Sequence, residues 1–400
     1  MRARTVVVVL GVVVALSGAG LYALSAGPSG SLSTDWVSDP HRPNQVNHHP
    51  VVVASENGRV DIVAPISSVS KDSGSRCAVT MLDANGSTGW QYVINRSTCA
   101  IHGIGDSVVA DATGDGEQNV LAPTTENRLY VFDAANGSVE WTRNLTSFGY
   151  AGPQVLTEPR RIVVQPDFAG AVFAMNANGT LAWRYDLNET VFADTETVRV
   201  PGTPHPSVAV GSTTHVTVFE PNGTVAWRRA AAATWLVSGR VDGEDVLVAS
   251  GGSNITALAA DGTTRWHRTG WNRPAIEQVA DGDGDGVPEV YVGSDGNRIA
   301  ALNARTGETE WTTALSTDAN ILPAPVTGDV DGDGHPEVVA ATNDGAVHVL
   351  DPQSGEVVAS YERDVSVWVH PTVADIDGDG AAEVLVMYGD GRVVALSYHQ

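Results

Sequence analysis

Lysine is all but absent. Of the 23 basic side chains in 400 residues only Lys71 is a lysine, against 47 acidic side chains and a net charge of -24. Without a basic stripe the chain cannot neutralise a phosphate backbone, which excludes nucleic acid as a partner. An acidic surface that dispenses with lysine repels itself at low salt and resembles the halophilic adaptation of proteins that work in concentrated salt.

Cysteine is nearly as scarce: Cys77 and Cys99 are the only two, both in the first of the repeats described below. Outside the cell they can form one disulfide. No cysteine and no third histidine stands at a zinc spacing from His48 and His49, so that pair is expected to be solvated. Catalytic motifs are missing too: there is no Gly-x-Ser-x-Gly elbow, no phosphate-binding glycine loop and no His-Glu-x-x-His helix. Paired carboxylates occur only in loops suited to cations, which leaves no acid-base pair to claim.

There is one long hydrophobic run. Residues 6–24 are apolar or small and follow Arg2 and Arg4; at about 1.5 Å per residue they match a bilayer core of roughly 30 Å. Residues 1–26 therefore read as a signal anchor, a single transmembrane helix with its arginines inside, and residues 27–34 as a linker. The rest is placed on the extracellular side. A cleaved signal peptide is the competing reading, with small residues at Ala23-Leu24-Ser25, but the run exceeds the usual apolar core of about 7–15 residues. Asn-x-Ser/Thr sequons at Asn85, Asn95, Asn136, Asn144, Asn178, Asn188, Asn222 and Asn254 suit an exterior glycoprotein. Asn-Gly-Ser/Thr is also ordinary turn chemistry.

The chain is rich in acidic loops. Asp329, Asp331 and Asp333 alternate with small residues and are followed by Glu337; Asp281, Asp283, Asp285 and Glu289, and Asp375, Asp377, Asp379 and Glu383, repeat the pattern. Alternate carboxylates, glycines that let the backbone turn sharply and oxygen-only ligands are what calcium needs from a short loop. A degenerate copy has Asp111, Thr113, Asp115 and Asn119, and a fainter one Ser55, Asn57, Gly58 and Asp61. The expected cofactor is structural Ca2+.

These loops punctuate a longer repeat of short β-branched runs, Gly-containing turns, and a glycine followed four residues later by tryptophan. The pairs are Gly86/Trp90, Gly137/Trp141, Gly179/Trp183, Gly223/Trp227, Gly262/Trp266 and Gly307/Trp311. Tryptophan spacings of 51, 42, 44, 39 and 45 by subtraction indicate a propeller, since each unit holds four strands. Residues 35–400 are thus predicted to form an all-β, eight-bladed β-propeller of four-stranded antiparallel blades. The seventh unit has Ala359 in place of tryptophan, and the eighth lacks an outer strand, which the residues around Asp35-Trp36-Val37 supply, closing the ring. The periodic tryptophans are expected to pack between blades. Trp235, Trp271 and Trp368 precede inner strands and either cap loops or line a pocket with Arg273 and His370.

The stretch Ala301-Leu302-Asn303-Ala304-Arg305-Thr306-Gly307-Glu308-Thr309-Glu310-Trp311 resembles the repeat of pyrroloquinoline-quinone (PQQ)-type β-propellers. The Asp loops resemble the calcium hairpins of FG-GAP/VCBS-type repeats of cell-surface propellers. The resemblance spans about residues 35–400 and is specific for fold, because this repeat serves dehydrogenases, membrane-assembly scaffolds and surface proteins alike. It implies either a non-catalytic, membrane-anchored propeller that binds a protein or glycan partner, with an envelope-assembly scaffold as a variant, or a PQQ-dependent oxidoreductase. The chain has no adjacent Cys-Cys pair and is short for the alcohol-oxidising members, so PQQ is not expected.

Overall fold

The computed structural model describes residues 30–38, 48–54, 60–68, 76–315, 319 and 321–400. Within them 32 strands form eight four-stranded antiparallel sheets and no helix. The candidate anchor at 6–24 and the faint loop residues Ser55, Asn57 and Gly58 lie outside the described residues. In blades one to seven the strands pair in sequence order. Blade 6 is representative: Ala275–Ala280 lines the central channel, then come Glu289–Ser294, Arg298–Asn303 and the outer Thr309–Ala314. The second and third strands are buried almost throughout, while the outer strand alternates and faces solvent. This places the core in layers between neighbouring blades.

Blade 8 contains Thr372–Ala374, Glu383–Met387 and Val393–His399, and its outer strand is Ser31–Val37. In blade 6 the bulge leaves Glu310, the residue before Trp311, without a partner; in blade 8 Asp35, the residue before Trp36, is skipped in the same way. Trp36 therefore occupies the register position of the other outer-strand tryptophans.

The Gly/Trp pairs are explained between blades. Each glycine adopts φ of +71° to +89° in the turn before its outer strand, and carries the tryptophan of the preceding blade on its bare Cα: Trp36 lies on Gly86, Trp90 on Gly137, and Trp266 on Gly307. Indole Nε1 groups then donate to the next blade, as from Trp90 to the Ala134 carbonyl at 2.8 Å and from Trp311 to that of Pro352 at 2.7 Å. Trp141 Nε1 is buried with no partner, and nothing in the structure explains this exception. Blade 8 has no turn joining its third and outer strands, so it offers no glycine platform, and blade 7 correspondingly has Ala359. Ala359 instead lies in a core layer that contains Leu32 and against which Tyr361 and Tyr398 pack, and Gly30 N–H donates to the Val358 carbonyl at 3.0 Å.

Gly307→Ala is expected to destabilise the fold by about 2–4 kcal/mol, combining left-handed backbone strain of about 1–2 kcal/mol with displacement of the Trp266 ring. A Cβ there would come 2.6 Å from that ring. Gly243→Ala, at φ +80° with nothing within 4 Å, should show the backbone part alone. Urea melts of both decide it, and equal losses would rule out the ring contact.

Candidate functional site

The two ends of the channel carry different chemistry. Segments that precede inner strands gather at one mouth, and the acidic loops follow inner strands at the other end.

In the loop after Ala275–Ala280, Asp281 Oδ1 accepts Gly284 N–H at 2.9 Å and Oδ2 accepts Gly286 N–H at 3.0 Å. Asp283 and Asp285 accept the amides two residues on, and Glu289 Oε2 reaches back to Gly282 N–H at 3.0 Å. The loops at Asp329 and Asp375 repeat these bonds. Positive-φ glycines such as Gly284 and Gly286 allow the turn. Ligand oxygens of Asp281, Asp283 and Asp285, of Asp329, Asp331 and Asp333, and of Asp375, Asp377 and Glu383 each lie within 4.8 Å of one another. Asp283 and Glu289 also converge with Glu310 of the outer strand, a residue the sequence reading did not place here. Burial, reinforced by the neighbouring aspartates, pushes Glu289, Glu337 and Glu383 up to about 7. Glu289 is buried, and its Oε1 has no partner.

The degenerate loop differs. Asp111 keeps its bonds to Gly114 and Gly116, and Asn119 Oδ1 accepts Ala112 N–H at 2.8 Å. Arg161 of the next blade places Nη1 2.6 Å from Asp111 Oδ2, supplying a positive charge from the protein itself. Thr113 Oγ1 is buried without a partner, and Asp115 accepts Glu117 N–H at 3.0 Å.

At the mouth, His48 and His49 are not a solvated pair: His48 is 3 % exposed and its Nδ1 lies 2.5 Å from Asp106 Oδ1, with His49 Nδ1 at 3.3 Å from the same oxygen. His102 Nδ1 meets His48 Nε2 at 3.1 Å, His370 Nε2 approaches Glu277 at 3.3 Å, and the His49 and His370 rings are 4.0 Å apart. The Cys77–Cys99 disulfide ties the third strand of blade 1 to the connector carrying His102 and Asp106. His102 itself sits at φ +55°, a conformation that costs about 1–2 kcal/mol.

Charge in this mouth is unevenly matched. Burial opposes the charge on His49, yet its bond to Asp106 and the fields of Asp106, Glu277 and Asp194 raise it to about 9. Burial also works against Asp106, but His48 and His49 hold that carboxyl well below its ordinary range. Burial, with repulsion from His48 and His49 respectively, lowers His102 to about 4 and His370 to about 3. Burial raises Glu277 to about 8 and Glu196 to about 7, the latter despite accepting Ser238 Oγ at 2.7 Å. Asp194 is lifted well above its usual value by burial and by Asp106.

Of the two readings of Trp235, Trp271 and Trp368, packing rather than a pocket with Arg273 agrees with the structure. Trp235 and Trp271 pack in the layer between blades 5 and 6, Arg298 stacks on Trp271 at 4.6 Å, Arg273 pairs with Asp295, and Trp368 is 43 % exposed. Only His370 joins the mouth. Sequence reasoning missed His102, Asp106, Tyr150, Asp194, Glu196 and Glu277. Their one shared signal is phase: all but Glu196 and Glu277 lie in connectors before inner strands, and those two lie within inner strands.

Several sequon asparagines also make turn bonds. Asn85, Asn136, Asn178 and Asn222 each accept the amide of the Ser or Thr two residues on, at 2.8 to 3.2 Å.

Comparison with known proteins agrees with this architecture. A family described as outer membrane protein assembly factor BamB matches residues 75–213 and 168–286, and FG-GAP-like repeats match 281–340 and 329–386. No curated protein sequence matches the chain. Among solved structures, BamB from Moraxella catarrhalis is 18 % identical with a TM-score of 0.65, over 92 % of this chain and 99 % of that one. The computationally designed Ika8 protein is 15 % identical, with a TM-score of 0.63 and coverage of 91 % and 99 %. Quinohemoprotein alcohol dehydrogenase from Comamonas testosteroni is 14 % identical, with a TM-score of 0.61 and coverage of 92 % and 76 %. At such identities the structural neighbours establish fold alone. The family match runs from residue 75 to 286, over half of the chain, so the protein belongs to the PQQ-type β-propeller family described by BamB, with FG-GAP-like loops in its C-terminal blades.

Proposed function

We propose that the chain is a non-catalytic propeller, anchored to the membrane and exposed outside the cell, that binds a protein or glycan partner and holds structural calcium in three loops. The observation that carries the calcium is Glu289, a buried carboxylate with a partnerless Oε1 that is grouped with Asp283 and Glu310. Carboxylates brought this close are stabilised by a bound cation, and an all-oxygen set favours calcium. The ligands are Asp281, Asp283, Asp285 and Glu289 in blade 6, with the corresponding residues in blades 7 and 8; in the Asp111 loop Arg161 takes the cation's place. The apolar run at 6–24 supports the anchor. An envelope-assembly scaffold is a variant of this reading, supported by the family match, with an anchor in place of a lipidated cysteine.

The fold family includes quinone-dependent dehydrogenases, but the mouth does not suit that cofactor. PQQ is a polycarboxylate, and the mouth offers it the carboxylates of Asp106, Asp194 and Glu277, whose nearby bases are imidazoles. Burial already disfavours charge on Asp194 and Glu277, and a polycarboxylate beside them and Asp106 adds to that cost.

The test is a cross-linked pull-down of the tagged protein from native membranes in high salt, with and without chelator. A defined partner lost on chelation is the expected result. No partner in either condition, together with dye-coupled alcohol oxidation on adding PQQ and calcium, would replace this reading with the enzyme.

A further inference from the structure

The binding-platform reading leaves the chemistry of the channel mouth unused. Two unlike surfaces meet there. One is an aromatic wall: Phe148 stacks on Phe168 with centroids 4.5 Å apart, and Phe192 meets Phe168 edge-on at 5.0 Å and Tyr150 at 5.5 Å. The chain has only six phenylalanines. Phe132, Phe173 and Phe219 are buried, whereas Phe148, Phe168 and Phe192 stay half-exposed together. Core formation does not call for a part-exposed cluster of a scarce, strongly apolar residue; ligand recognition does.

The second surface is acidic. Asp106 is engaged with His48 and His49, and Glu277 with His370. Asp194, two residues after Phe192, is less fully engaged: its Oδ1 accepts Gly152 N–H at 2.5 Å, and His49 acts on it through its field, with no ion pair or hydrogen bond to a base among the described residues. It stands where the aromatic wall meets the carboxylate and histidine network. Tyr150 links the two, its ring 4.8 Å from His48 and 5.0 Å from His102.

We infer that this mouth binds a small organic cation, an ammonium group on an apolar body, with the ammonium on Asp194 and the body against Phe192, Tyr150 and Phe168. An ammonium is attracted both to a carboxylate and to aromatic faces, while the body covers apolar ring surface. A metal ion fits less well: three metal-ligating atoms converge in the acidic loops, but among the described residues no such group forms at the mouth. An anion meets the charge of Asp106 and adds to the cost of ionising the buried Asp194 and Glu277, whereas an ammonium offsets it. The site is independent of the calcium loops, which occupy the other end of the channel.

Isothermal titration of the full chain at pH 8 with calcium present tests this, using phenethylammonium against its neutral and anionic counterparts, phenethyl alcohol and phenylacetate. The amine is expected to bind at least tenfold more tightly than either. Asp194→Asn retains an acceptor for Gly152 and should weaken the amine at least tenfold with an unchanged melt. Phe192→Leu should weaken it severalfold. Equal binding of amine and alcohol, an unaltered affinity in Asp194→Asn, or no binding of the amine would overturn the inference. None of these outcomes bears on whether a partner is captured in a calcium-dependent way, so the two proposals fail separately.

Discussion

Deleting residues 30–38 is expected to remove roughly 5 kcal/mol or more, enough to consume much of the about 5–15 kcal/mol by which domains are stable. The segment supplies the fourth strand of blade 8, pairing from Ser31 with His399 to Val37 with Val394. Leu32 enters the layer between blades 7 and 8 at 7 % exposure, and a fully buried leucine is worth about 1.5–3 kcal/mol. Trp36 covers Gly86 of blade 1, and Ser38 Oγ accepts Val393 N–H at 2.9 Å. Without the segment, Val393–His399 becomes an open edge and the ring loses its closure at the same place. A circular-dichroism melt with size-exclusion chromatography should show early unfolding and association. Trp36→Ala, which keeps the strand and removes the ring, should cost less, about 2–4 kcal/mol. A deletion variant melting within a few degrees of the full chain would mean that closure contributes little.

Chelation should have the second large effect. A site filled at a hundred times its dissociation constant adds about 2.7 kcal/mol to folding, so three loops together reach about 8 kcal/mol. The melting temperature should fall sharply in chelator and recover when calcium is returned. Asp283→Ala should abolish about a third of the difference. Asp111→Asn should lower stability by an amount that calcium does not alter, because its partner is Arg161. Superimposable melts with and without chelator would exclude structural calcium. These losses would be localised in blades 6 to 8, so they should also narrow the range of conditions in which a partner is held.

The features legible in sequence are those whose cause is local. The acidic loops could be read because their carboxylates bond to amides two to seven residues away, as Asp281 does to Gly284 and Glu289 to Gly282. The blade count could be read because four strands recur, with one glycine and one tryptophan in each of the first six units, and the missing eighth outer strand pointed to Trp36. Even the pairing of glycine with tryptophan was visible, but its meaning was not: the glycine serves the ring of the preceding blade, not its own. Ala359 looked like a lapse in the repeat, and only closure by a strand without a platform turn accounts for it.

The mouth belongs wholly to tertiary structure. His48 and Asp106 are 58 residues apart, and Gly152 bonds to Asp194 across 42. Each blade sends only a residue or two to the axis, so no window of sequence holds enough of them to form a pattern, and His48 and His49 looked like a solvated pair. Glu310 meets the Asp281 loop across its own blade, and Arg161 meets Asp111 from the next one, for the same reason. Periodic local chemistry determined the blades and their loops by itself. Convergence of eight inner strands on one axis decided which buried charges meet, because burial and electrostatic coupling depend on distance in space and not along the chain.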